Sequence, residues 1–194
     1  MTGMLTKVKV VIADAGVFIS LAHGDLLGLL LEFAEDVNIV TTDIVAFEVT
    51  RRADLFDAKR IADFFSANED RIKIVPTGYA DILKVAKENP AMSLPKNMGE
   101  SSIYGFVNDI RGELRGIPTL VIFEDNWFSK NELGVRPTMM PLISLAAFLK
   151  YAEVVVPNFS FDSAVSRITH TRPGVNLIEI DSPGKNSATN KETV

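Results

Sequence analysis

The run VKVVIA, residues 8–13, is almost continuously apolar and β-branched, and it stops on an acid, Asp14. Apolar side chains at successive rather than alternate positions predict a strand buried on both faces, as in a parallel sheet covered by helices. Leu21–Phe33 follows with helical spacing and is punctuated by Asp36–Asn38. Ile39–Thr42 reads as a second strand and Ile44–Phe65 as one or two helices. Ile72–Val75 is a third strand stopped by Pro76, and Ala80–Glu88 is helical. Residues 89–98, with Pro90 and Pro95, read as a loop. Glu100–Leu114 is an amphipathic helix, Thr119–Phe123 a fourth strand and Leu142–Tyr151 a further helix. Val154–Val156, halted by Pro157, is expected as the fifth strand. Strands alternating with helical segments predict an α/β/α sandwich on a mostly parallel sheet.

Residues 158–181 read as a C-terminal extension holding a helix and an edge strand at Leu177–Ile180. The polar, turn-rich stretch SPGKNSATNKETV, residues 182–194, is expected to be a disordered tail. With 194 residues, 47% of them hydrophobic, the chain fits one domain with appendages and buries a core without staples. No cysteine is present, which excludes a disulfide framework, cysteine-held metals and a thiol nucleophile, and suits a reducing cytosol. No apolar run reaches membrane-spanning length, and the first one meets Asp14 too soon for a signal peptide. A soluble, cytoplasmic protein is the expectation. The net charge of −5 and pI near 5.1 give no bulk attraction for nucleic acid. Clustered carboxylates that hold cations contribute to such a deficit.

Ligands of an open parallel sheet bind beyond the carboxyl ends of its strands. Asp14 ends the first strand and Asp125 lies just past the fourth. Glu100 opens the helix that feeds the fourth strand, and Glu48 follows the second strand among Ile44, Val45, Phe47 and Val49. A solitary carboxylate in such apolar surroundings is costly to bury, and several converging acids raise one another's pKa values. A divalent cation removes that conflict, and an all-oxygen ligand set suits Mg²⁺ or Mn²⁺. Such a centre polarises a phosphodiester and activates water. No Ser/His/Asp set competes, and His23 and His170 lack partners at ligand spacing.

The segments VVIADAGVFISL (10–21), TTDIVAFEVTRR (41–52), NMGESSIYGF (97–106) and TLVIFEDNWF (119–128) resemble, in order and spacing, the four acidic motifs of PIN domains. The resemblance covers about residues 8–157, so that 1–157 is expected as a PIN-like nuclease domain. It implies a five-stranded sheet in the order 3-2-1-4-5 and Mg²⁺- or Mn²⁺-dependent hydrolysis of RNA phosphodiester bonds. It also implies a homodimer, and, for many bacterial relatives, a toxin held by an antitoxin protein. Carried over motif by motif, the catalytic acids are Asp14, Glu48, Glu100 and Asp125, with Asp14, Glu100 and Asp125 as metal ligands. The chain departs from the pattern at Phe123-Glu124-Asp125-Asn126, where relatives end on a Thr-Asp-Asp type of sequence. Glu124 and Asp125 therefore compete for the fourth place, with Asn126 behind them. The 77–98 connection and the residues after Pro157 exceed a minimal PIN domain.

Each residue also has a plainer reading. Asp14 can cap a helix, Glu48 can face solvent, and Glu100 can favour the positive end of its helix. Ser101 or Ser102 can hold a metal-bound water or only bond the helix start. Arg51, Arg52, Lys59, Arg60, Arg111, Arg115 and Lys130 follow the motif segments and are candidates for phosphate contact, although charges on helix faces are mostly just solvated. Trp127 and Phe128 can stack on a base, or pack beneath the following helix. A haloacid-dehalogenase-type phosphatase needs a second acid two residues after Asp14, where this chain has Gly16. A response-regulator receiver does not match the order of acids. A PIN-like module without catalysis, binding RNA or protein, is the remaining competitor, and loss of acids is the feature that would favour it.

Overall fold

The computed structural model describes residues 9–33, 39–89, 91–110, 113, 115–124, 141–175 and 177. Strand β1 (Val10–Ala13) is buried along its whole length, as its unbroken apolar run requires. It pairs in parallel with β2 (Ile39–Thr42) on one side and with β4 (Thr119–Phe123) on the other, with Ile12 opposite Val40 and Val121. β3 (Ile72–Val75) and β5 (Leu142–Ser144) form the two edges. The sheet order is β3-β2-β1-β4-β5 and all four pairings are parallel. Together with the helices this is the expected PIN-like α/β/α sandwich. Edge strand β3 exposes Lys73, a charge that discourages pairing with another chain.

Eight helices occur among the described residues: α1 (Ala15–His23), α2 (Leu29–Phe33), α3 (Asp43–Thr50), α4 (Phe56–Ala67), α5 (Ala80–Glu88), α6 (Met98–Ile110), α7 (Leu145–Val155) and α8 (Phe161–Thr171). Phe18, Leu21, Ile61, Ile103 and Phe148 are fully buried in the core. Each such side chain contributes roughly 1.5–3 kcal/mol by leaving water. Phe18 meets Phe65 of α4 edge-to-face at 5.2 Å between ring centroids, which ties α1 to α4. A smaller cluster of Ile44, Leu83 and Met98 joins α3, α5 and the start of α6. None of the described helices is long and apolar enough to cross a membrane.

Two sequence expectations are corrected. The fifth strand is Leu142–Ser144, not Val154–Val156, which form the end of α7 and its C-cap. Ser144 is extended, and its hydroxyl accepts the Ala147 amide, so the helix begins immediately after the strand. Leu145, Phe148, Leu149 and Ala152 then bury one helical face, and this outweighs the local strand preference of the valines. The single helix expected over Leu21–Phe33 is two, because α1 stops at Gly24, whose amide bonds to the Ser20 carbonyl, and Asp25 has φ +56°. The extension supplies α8, which packs on α1 and α7 through Ala164 and Ile168. Of the edge strand expected at Leu177–Ile180 only Leu177 is described, buried and outside any strand, while Asp36–Asn38 and the tail at 182–194 lie outside the described residues.

Candidate functional site

Asp14 sits where the carboxyl end of β1 becomes the N-cap of α1, in the centre of the sheet. Both of its oxygens are held by backbone amides, Oδ1 by Val17 at 2.8 Å and Oδ2 by Glu124 at 3.1 Å. The capping reading of Asp14 is therefore correct, and it leaves each oxygen a second lone pair. Only 3% of the residue is exposed. Burial lifts its pKa from 3.8 to about 7, against the two amide bonds, and the nearby charges of Glu124 and Glu100 push it the same way. Such a group is a reluctant anion.

Glu100 stands in the first turn of α6 and is half-buried. It repels Asp14 on one side and Glu48 on the other, so it links the acids into a series. Glu48, on α3, is the exposed member of the series. Partial desolvation and the charge of Glu100 raise its pKa, and Arg51 opposes them. The Glu48 carboxylate lies against Gly99, where an added Cβ would stand 2.8 Å from Oε2. The absence of a side chain at Gly99 is what lets α3 and α6 bring these two acids together. The Ser102 hydroxyl seals the same junction by donating to the Gly99 carbonyl at 2.6 Å and lying 2.6 Å from the Thr42 hydroxyl. Ser102 is thus a structural residue, as its plainer reading held.

Glu124 follows β4 and faces two ways. Its amide holds Asp14, while its carboxylate turns towards α1 and the end of α8. There Ser20 donates to Oε2, and Arg172 donates to Oε1 and to the Ser20 hydroxyl, which closes a ring of charge-assisted bonds. Gly16 gives this carboxylate room, since a Cβ there would lie 3.0 Å from that of Glu124. Neither Ser20 nor Arg172 stands out in the sequence. Their partnership spans 152 positions and has no local signature, beyond a serine on the buried face of α1.

Asp125 lies outside the described residues, as do Asn126, Trp127, Phe128, Lys130 and Arg111. The described part of the site therefore holds Asp14, Glu48, Glu100 and Glu124. Among the described residues, no group of three or more His, Cys, Asp or Glu side chains is placed to hold a metal ion. Of the candidate cations on α4, Lys59 pairs with Asp63 of the same helix, and Arg60 pairs with Asp25 and bonds the Ala22 carbonyl of α1, so both have structural partners. His23 lies 3.8 Å from Asp57, and Arg115 is exposed. Comparison of the chain with protein-family models, with curated proteins and with solved structures returned no match.

Two predictions follow from this arrangement of charges. Raising a carboxyl from 3.8 to about 7 corresponds to roughly 4 kcal/mol between its charged and neutral forms. The folded protein binds the proton more tightly than the unfolded chain does. In metal-free buffer, the stability from this group is complete below about pH 4, declines as pH rises towards 7, and then levels off. Urea midpoints across that window should show this fall in wild type and lose it in Asp14→Asn. The fixed charge of Arg172 balances Glu124 where the two side chains are 28% and 11% exposed. Arg172→Ala should therefore cost about 2 kcal/mol of unfolding free energy at pH 7. A midpoint unchanged by that substitution would show the ring to be unimportant for stability.

Proposed function

We propose that this chain is a metal-dependent ribonuclease of the PIN type, acting through Asp14, Glu48, Glu100 and Asp125. The observation that carries the reading is Asp14: a carboxylate 3% exposed, at the centre of the sheet's carboxyl edge, beside Glu100 and Glu124. A group so placed exacts a stability cost when ionised, and a cation is the partner that would offset it. The four motifs in register and the 3-2-1-4-5 sheet support the same reading.

Bound Mg²⁺ or Mn²⁺, with Asp14, Glu100 and Asp125 as the residues to hold it, would supply Lewis-acid polarisation of the phosphodiester. Asp14 is fixed by two amides and needs no reorganisation to serve. Glu48 is exposed and has a raised pKa, which suits it to take the proton of the attacking water. The water oxygen bonds to phosphorus as the bond to the leaving ribose oxygen breaks. A cytosolic location, a homodimer and an antitoxin partner belong to the same reading, through the absence of cysteine and the PIN resemblance.

A second reading has its own support. Glu124 already has a cationic partner in Arg172, and this favours a PIN-like module that binds without cleaving. One experiment separates the two: a labelled RNA pool incubated with purified protein in Mg²⁺ or Mn²⁺, with EDTA controls. Wild type should cleave only with metal, and Asp14→Asn should lose at least about a hundredfold in rate while staying folded. Equal products from both proteins would reject the site, and intact RNA under all conditions would favour the binding module.

A further inference from the structure

Where the C-terminal end of α3 faces α5, a groove of about 190 Å³ is lined by Phe47, Arg51, Arg52, Ala86 and Lys87. Three cations converge there on a chain whose net charge is −5. The groove borders the acidic series through Arg51, the C-cap of α3, whose charge acts on Glu48 and opposes the rise in its pKa. Its walls are held in place, since the cluster of Ile44, Leu83 and Met98, with Phe47 packed on it, joins α3 to α5 and α6.

Each cation is disposed to meet an anion. Arg51 donates to the Met92 carbonyl at 3.2 Å, a contact that orients the guanidinium without cancelling its charge. Arg52 is paired with Asp54 through two 3.0 Å bonds, but both side chains are largely exposed, and such surface pairs yield readily to a competing anion. Lys87 comes from the last turn of α5, opposite the arginines. Phe47 is half-buried and offers an apolar wall for a sugar or a base.

We infer that this groove is a phosphate-binding subsite, in which Arg51, Arg52 and Lys87 hold the backbone of a single-stranded nucleic acid as it approaches the Glu48–Glu100 edge. The occupant is a polyanion, because three cations supply charge and donors but no base-reading geometry. A single strand is the form that fits, because its unpaired bases can stack on an aromatic wall such as Phe47, which the bases of a duplex cannot do. This substrate class rests on the nuclease reading; the groove's affinity for phosphate does not depend on cleavage.

The test is fluorescence anisotropy of a labelled single-stranded RNA, and of DNA with the same sequence, over a salt series in EDTA. Removing two phosphate contacts by Arg52→Ala with Lys87→Ala should flatten the slope of log affinity against log salt by about 0.7 for each contact. The flattening should be equal on RNA and DNA, since a phosphate contact does not sense the 2′-hydroxyl. Arg167→Ala, which removes an exposed charge from α8, should leave the slope unchanged. A wild-type slope in the double variant, an equal change in Arg167→Ala, or an effect confined to RNA would each overturn the groove. If wild type cleaves RNA while the double variant binds normally, the groove alone is wrong. If binding depends on the groove but no cleavage occurs with metal, the nuclease reading alone is wrong.

Discussion

The arrangement of this molecule turns on one unfavourable burial, the Asp14 carboxylate at the end of the central strand. Two backbone amides hold it, one from its own helix and one from the residue after β4. Those bonds recover part of the desolvation cost, but the balance still leaves the pKa at about 7, so the group is only partly ionised at neutral pH. The surrounding elements accommodate that charge. β1 and β4 must end in register for the Glu124 amide to reach it, and Gly16 must lack a side chain for Glu124 to turn away. Ligands of a parallel sheet are expected at this carboxyl edge, and a buried acid with a raised pKa there is the basis of the proposed site.

Arg172 extends the same logic to the C-terminal extension. Its guanidinium, at the end of α8, balances the charge of Glu124 beside Ser20 of α1, so the extension does more than cover apolar surface. The carboxylate of Glu124 is committed to that ring while its backbone supports Asp14. A single residue thereby couples the extension to the sheet's central acid. The cationic groove stands on the opposite flank of the acids, on α3 and α5, so fixed positive charge is present on two sides of an otherwise acidic protein.

Much of the fold was legible in the sequence because buried parallel strands are written as short apolar runs with clear stops. β2, β3 and β4 occupy the expected residues, and α5 was read to its ends. The failures have physical causes. Val154–Val156 carries the local strand signal, but the Ser144 cap and the buried face of α7 commit it to the end of a helix. At the site, Asp14, Glu48 and Glu100 were visible as acids in apolar surroundings, and they do interact in series. The double orientation of Glu124 was not visible. It depends on Ser20 and Arg172, which are distant in sequence and meet only after α8 docks on α1.

Asp14 is a buried acid, and its proposed partner is a divalent cation. The most direct measurement is calorimetric titration of Mn²⁺ into metal-free protein at pH 8, with Asp14→Asn as the comparison. The account predicts saturable binding by the wild type, accompanied by a rise in Tm, and neither effect in the variant. Equal Mn²⁺ binding by the two proteins, or none by the wild type, would contradict it.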